Sequence, residues 1–257
     1  MPWDPIQYLR FDAERLRPAL DLLARIPLEA AEDIVDLGCG PGHISKILKS
    51  RWPSARVTGV DRSREMLERA AAAAPELQWQ QVDLADWHPE RPVDLIYANA
   101  SLHWLDDHET LFPRLMAGLK PGGWLAVQMP RNHDRPSHLA AFEAAEGGPW
   151  WARLGPRLRR KPVAEPETYL RWLSPVANHV DIWQTDYLHL LEGPDPVAAW
   201  THGSLMVPLL EALREDEKEP FLEAYRSRLR WAYPADEAGR TPFWFRRLFL
   251  VAQAKGS

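Results

Sequence analysis

The chain has 257 residues, a net charge of −5, 46% hydrophobic and 26% charged residues. This composition suits one large α/β domain, or a core carrying an insertion, and gives no case for disorder. It excludes a broad basic field for a nucleic-acid backbone, and the single cysteine, Cys39, excludes an intramolecular disulfide and any Cys/His spacing for zinc.

The opening residues MPWDPIQYLRF lack a basic stretch followed by an apolar one. No apolar run approaches the ~20 residues of a membrane span. A soluble cytoplasmic protein is expected. Residues 12–25 read as an amphipathic helix. Ile34–Leu37 is a short apolar strand that ends in a glycine-rich turn. A helix follows over His43–Arg51 and closes at Pro53. Arg56–Val60 is a second strand, Arg64–Ala74 an alanine-rich helix, Leu77–Val82 a third strand and Val93–Ala98 a fourth. Thr110–Leu119 is a helix ending at the Pro121-Gly122-Gly123 turn, and Trp124–Met129 a fifth strand. Such alternation predicts a parallel sheet covered on both faces.

Beyond residue 130 the pattern changes. Residues 130–175 are rich in Pro, Trp, Arg and His, with helical patches; Val180–Leu191 alternates as a strand; Pro196–Trp231 is helical; Phe243–Ala252 returns to strand. The expected organisation is a core over 1–129 with an N-terminal closing segment. Helical cap insertions occupy 130–175 and 194–240, and the last two strands lie within 176–193 and 241–257. Thirteen tryptophans are a heavy load. Most are expected in packing, with a few as rigid pocket walls.

In an open α/β sheet, ligands bind beyond the carboxyl ends of the strands, near the topological switch point. Four successive strand ends carry suitable chemistry. The first is Asp36-Leu37-Gly38-Cys39-Gly40-Pro41-Gly42, whose glycines permit a tight turn before a helix N-terminus. A dinucleotide fingerprint, G-x-G-x-x-G/A, fails because His43 occupies its last position. Asp36 would repel a pyrophosphate and suits an amine or a sulfonium. Those two residues favour a cationic amino-acid nucleoside over a dinucleotide. The second strand ends in Asp61-Arg62. Asp61 can accept from both ribose hydroxyls, and Met66 can pack on adenine. The third ends in Asp83-Leu84, where a carboxylate can accept from the adenine amino group. The fourth runs into Asn99, Ser101, His103 and Trp104, placing polar groups beside the amino-acid portion of such a ligand and two rings near its cationic centre.

These motifs, with the Lys120-Pro121-Gly122-Gly123 turn, resemble the class I S-adenosylmethionine (SAM)-dependent methyltransferases over residues 30–130. That resemblance implies a doubly wound, mostly parallel, seven-stranded Rossmann-like sheet with a helical substrate cap. Trp3-Asp4-Pro5, Tyr8-Leu9, Phe11, Ala13-Glu14-Arg15, ANASLHWLDDH at 98–108, VQMP at 127–130, VDIW at 180–183 and RLFLVA at 247–252 extend it. Together they resemble the trans-aconitate 2-methyltransferase family. This implies a carboxylate O-methyltransferase for a small polycarboxylic acid. SAM would be the donor and S-adenosylhomocysteine the product, with no metal, nucleic acid or membrane involved. Arg15, Asp36, Gly38, Gly40, Gly42, Asp61, Arg62, Met66, Asp83, Leu84, Asn99 and Ser101 are then the cofactor candidates. Tyr8, Phe11, His103, Trp104, Arg131 and Arg247 are the acceptor-side candidates. The sequence departs from the family pattern at Val207, where an arginine is expected before Pro208. Arg131, Arg135, Arg160, Arg246 and Arg247 are possible replacements.

A carboxylate nucleophile is already ionised at neutral pH, since it titrates near ~4. No general base is assigned. A hydroxyl or amine acceptor would need one, with His103, His133 and His138 as candidates. Competing readings are a different acceptor, such as an acyl-carrier-bound malonyl group docking on Arg153–Lys161 or a secondary metabolite, and a non-catalytic SAM-binding protein.

Overall fold

The computed structural model describes the backbone of residues 12–256 and the side chains of residues 16–256. Tyr8 and Phe11, and the side chain of Arg15, lie outside the described residues. Seven strands form one sheet: β1 Asp33–Leu37, β2 Arg56–Asp61, β3 Gln78–Gln81, β4 Val93–Asn99, β5 Leu119–Pro130, β6 Ala177–Leu191 and β7 Thr241–Ala254. Their order is β3-β2-β1-β4-β5-β7-β6. All five residues of β1 are buried, Asp33 and Asp36 included, as befits a strand covered on both faces.

Parallel register joins the first five strands, with Ile34 opposite both Val57 and Leu95, Thr58 opposite Gln78, and Ile96 opposite Leu125. From β1 the chain winds outward to β2 and β3, then returns to place β4 on the other side. The switch point therefore lies between the carboxyl ends of β1 and β4. β7 runs against β5. Gln253 Nε2 donates to the Gly122 carbonyl at 3.1 Å, while the Arg131 N–H donates to the Arg246 carbonyl at 3.0 Å. β6 in turn opposes β7, as the Trp183–Phe249 stack and the Asp186–Arg246 ion pair require.

The chain divides into two compact units. One contains residues 17–130, 163–184 and 248–256; the other contains 131–162 and 185–247. The first unit holds the switch point. Its core packs Leu37, Ile96, Phe112, Val127, Tyr169 and Leu250 together. The helix Arg64–Ala73 starts at Ser63, whose hydroxyl accepts the Met66 N–H at 3.3 Å as an N-cap. The second unit packs Phe142, Trp150, Trp200, Phe221, Tyr225 and Phe243. Trp150 lies just before the short helix Trp151–Leu154; the others come from the helices Pro136–Glu146, Pro196–Thr201 and Glu215–Ala232 and from the outer half of β7.

Two local expectations are corrected. The helix expected over 110–119 spans His108–Ala117, and Pro121-Gly122-Gly123 lies inside β5 instead of before it. Val93 pairs with Leu119 and Leu95 with Trp124, so residues 120–123 are absorbed as an irregularity, with Gly122 at φ 77°. Pairing with β4 on both sides of the turn keeps it in the strand. The tryptophans divide between packing and surface. Among the described residues Trp52, Trp87, Trp124, Trp150 and Trp200 are buried, whereas Trp104, Trp151, Trp231 and Trp244 are exposed.

Candidate active site

The turn after β1 is built around two glycines. Gly38 sits at φ 75°, and a Cβ there would lie 2.2 Å from Ser101 Cβ. Ser101 is held in that position by donating to the Leu37 carbonyl at 2.6 Å. Gly42, at φ 81°, precedes the helix His43–Arg51, and its Cβ would lie 2.6 Å from the Trp79 ring. Left-handed backbone and close neighbours both demand glycine at these two positions. The turn is fastened to β2: Gly38 N–H donates to the Val60 carbonyl at 2.7 Å, and Gly40 N–H donates to Asp61 Oδ2 at 2.9 Å. The other oxygen of Asp61 accepts the Ser63 N–H at 2.9 Å.

Asp36 is buried beneath this turn and accepts a hydrogen bond from the Ser45 hydroxyl at 2.7 Å. Burial pushes its carboxyl up to about 7, against the Ser45 bond and with a further push from the Asp61 charge. Asn99, at the carboxyl end of β4, has its side-chain oxygen buried with no hydrogen-bond partner among the described residues. An unpaired buried acceptor carries a desolvation cost that a donor on a ligand relieves.

A cavity of about 700 Å³ opens at these strand ends. It brings together Gly38, Asp61, Arg62, Asp83, Leu84, Ser101 and Trp104. Asp36, Gly40, Gly42, Met66, Asn99 and His103 are not among its lining residues. Trp104 is exposed at its edge, its ring 4.8 Å from that of His103. The short 3₁₀ turn Leu102–Trp104 is anchored from behind by the buried His108, whose Nε2 lies 3.0 Å from the Leu102 carbonyl and whose Nδ1 lies 2.6 Å from the Tyr169 hydroxyl. Sequence reasoning missed His108, Tyr169 and the lining residue Arg114. All three act through partners distant in the chain, so no local pattern marks them.

The two arginines expected on the acceptor side belong to the second unit. Arg131 and Arg247 are both buried. The Asn132 amide donates to the Arg246 carbonyl and accepts the Arg246 N–H, each at 2.8 Å, which fixes the 131–133 segment against 246–247. The Arg247 guanidinium lies 4.9 Å over the Phe245 ring. Of the other candidate arginines, Arg135 and Arg246 pair with Asp186, at 3.2 and 2.8 Å, and Arg160 pairs with Glu146 at 3.1 Å. The 153–161 run is also engaged: Arg153 pairs with Glu217, and Arg157 donates to the Arg153 carbonyl. His133 is buried, and burial together with His133 pushes His138 down to about 4, leaving it neutral at physiological pH. Val207 is half-buried in the turn Val207–Leu210, which follows a π-helical stretch over His202–Met206.

Among the described residues one acidic trio, Glu32, Asp33 and Asp94, has metal-like spacing. Lys120 already lies 2.8 Å from Glu32 and 3.0 Å from Asp94, and Arg56 and Arg91 pair with Asp33.

A glycine turn at the switch point, with carboxylates at successive strand ends around a nucleoside-sized cavity, is the architecture of a SAM-dependent class I methyltransferase. Residues 34–123 match the methyltransferase domain family. The fold is shared with the YcgJ protein of Bacillus subtilis (TM-score 0.57, 15% identity, 93% of this chain and 98% of that one). It is shared also with Haemonchus contortus phosphoethanolamine N-methyltransferase 2 in complex with S-adenosyl-L-methionine (TM-score 0.54, 14% identity, 94% and 53%). Similarity to curated sequences is much higher and nearly end to end. The chain is 48% identical to trans-aconitate 2-methyltransferase of Azoarcus sp. strain BH72, over 97% of this chain and 98% of that protein. It is 44% identical to the enzyme of the same name from Agrobacterium fabrum, over 99% and 100%. The chain is a SAM-dependent methyltransferase and belongs to the trans-aconitate 2-methyltransferase family.

No described helix is long and apolar enough to cross a membrane.

Proposed function

We propose that the enzyme transfers a methyl group from SAM to a carboxylate of trans-aconitate or a closely similar small polycarboxylic acid, giving a monomethyl ester. The observation that carries this reading is the 48% identity, over nearly the whole of both chains, to a trans-aconitate 2-methyltransferase. Two buried arginines in the second unit, Arg131 and Arg247, add the chemistry that a polyanionic acceptor requires. In this reading the helical segments 130–175 and 194–240 serve as a substrate cap. The enzyme works in the cytoplasm on a small molecule, without a metal, a nucleic acid or a membrane.

The cavity fits the donor by its chemistry. Asp61 retains accepting capacity for two ribose hydroxyls, because a carboxylate offers about four lone-pair sites and two are taken by main-chain N–H groups. Asp83, with Leu84 beside it, accepts from the adenine amino group. Asp36 and Asn99 serve the amino-acid end, supported by the raised carboxyl of the one and the orphaned oxygen of the other. Gly38, Gly40, Gly42 and Ser101 shape the turn, and Arg62 and Met66 flank the nucleoside.

Bound SAM supplies an electrophilic methyl on a sulfonium. The chain's own task is to bind, align and keep water out. Holding two reactants in attack geometry is worth ~7–11 kcal/mol. Arg131 and Arg247 bind acceptor carboxylates, while Trp104 and His103 wall the reacting centre. No residue is assigned to take a proton, because the acceptor carboxylate carries none at neutral pH.

The test is product formation. Purified enzyme is incubated with SAM and a panel of di- and tricarboxylic acids, and S-adenosylhomocysteine and methyl ester are followed by mass spectrometry. Trans-aconitate is expected to give the highest kcat/KM. Formation of no S-adenosylhomocysteine with any acid would sink the reading.

A further inference from the structure

The turn after β3 carries Asp83 and Leu84 into the cavity wall. Its Leu84–Ala85 peptide is held on both sides. The Ala85 N–H donates to Asp83 Oδ1 at 2.9 Å. The Leu84 carbonyl accepts from Arg114 at 3.4 Å, and the next carbonyl, that of Ala85, accepts from the same guanidinium at 2.6 Å. Arg114 projects from the helix His108–Ala117 and also lines the cavity. A guanidinium presents its donors in a rigid plane, so engaging two consecutive carbonyls sets the orientation of the peptides between them.

The consequence falls on Asp83. This residue is exposed, and an exposed carboxylate rotates among hydrated rotamers unless something fixes it. Here Oδ1 is tied to the Ala85 N–H, and Oδ2 has no partner among the described residues. The Ala85 N–H points at Asp83 only while the Leu84–Ala85 peptide keeps its present orientation, which Arg114 enforces from the opposite edge.

We propose that Arg114 is a positioning residue for nucleobase recognition: by clamping the Leu84 and Ala85 carbonyls it fixes the Asp83 carboxylate to accept from the exocyclic amino group of the bound adenosine. This rests on the Asp83 role proposed above. The competing explanation is structural. Arg114 lies in the last turn of its helix, where any cation is favourable to the helix dipole.

The two are separated by ligand discrimination. Calorimetric Kd values are measured for S-adenosylhomocysteine and for S-inosylhomocysteine, in which a keto oxygen replaces the amino group. The wild type, Arg114→Ala, Arg114→Lys and Asp83→Asn are compared, with thermal melts of each. The wild type is expected to prefer the amino ligand by ~10-fold or more. Arg114→Ala should lose ~3–10-fold of that preference, mainly through weaker binding of the amino ligand. Arg114→Lys, which keeps one flexible donor, should restore part of the ratio and provides the readout if the alanine variant fails to fold. A Kd ratio unchanged in both variants, with the two ligands weakened equally, overturns the proposal in favour of the structural role. Absence of any preference in the wild type overturns the Asp83 reading itself, and the proposal with it.

Discussion

The main-chain N–H of Gly40 donates to Asp61 Oδ2 at 2.9 Å, so the carboxylate at the end of β2 holds the glycine turn at the end of β1. Its second oxygen holds the Ser63 N–H at the start of the next helix. Asp61 therefore has two tasks, bracing the turn and, in the proposed reading, accepting from the ribose. Asp61→Ala removes both and is expected to raise the SAM Kd by ~10–100-fold, the scale of one or two lost bonds to a charged acceptor. Asp61→Asn keeps one accepting oxygen and should fall between. Titration calorimetry gives the answer directly: wild-type affinity in Asp61→Ala would refute the ribose role.

Gly38→Ala meets two separate obstacles. Its φ of 75° is strained for any residue with a Cβ, and that Cβ would lie 2.2 Å from Ser101 Cβ. Backbone strain alone costs ~1–3 kcal/mol, and at ~2–4 °C per kcal/mol for a chain of this size the melting temperature should fall by several degrees. SAM binding should be lost with it. Adding Ser101→Gly relieves the collision and leaves the strain, so the double variant should recover only part of both. Full recovery would show that φ is not limiting.

The raised carboxyl of Asp36 gives opposite pH trends for stability and for binding. Its folded value of about 7 lies above its ordinary 3.8, so the folded state holds the proton more tightly than the unfolded chain. The contribution to stability is fully present below the ordinary value and is lost as pH rises through about 7. A cationic ammonium at this site favours the ionised form, so affinity for S-adenosylhomocysteine should strengthen over that same rise. Asp36→Asn should flatten both profiles. Melting curves and calorimetry from pH ~5.5 to ~8.5 check this, and a pH-independent affinity in the wild type would remove Asp36 from the amino-acid end of the site.

Much of the first unit was legible because its signals are local. Gly38 and Gly42 announce a turn that only glycine fits. Asp61 closes β2, Asp83 follows β3 by two residues, and β1 carries the apolar Ile34, Val35 and Leu37. What failed to read was set by partners far along the chain. Pro121-Gly122-Gly123 looks like a stop, and only pairing to Val93 and Leu95 shows that β5 runs through it. Arg114 reads as an ordinary helix arginine until the turn at 84–85 is brought against it. The π-helical stretch at His202–Met206 has no compositional mark, since its hydrogen-bond spacing is decided by packing. Exposed tryptophans such as Trp231 and Trp244 show the limit of reading burial from residue type.

His103 decides between acceptor chemistries. It stands beside Trp104 at the end of the fourth strand, with the ring centroids 4.8 Å apart, where a histidine invites assignment as a base. For a carboxylate acceptor there is no proton to remove. His103→Ala should then change kcat by less than ~10-fold, well below the ~100–10,000-fold typical of losing a general base. Any larger effect should fall on KM, through lost packing against Trp104, which lines the cavity. For a hydroxyl or amine acceptor, kcat would collapse at constant KM, and the wild-type rate would rise with pH as the base is freed of its proton. Steady-state kinetics across pH on the best acid of the panel separate the two. A flat profile with a small kcat effect places the catalytic contribution of this site in alignment, and a titrating profile that vanishes in His103→Ala places it in proton transfer.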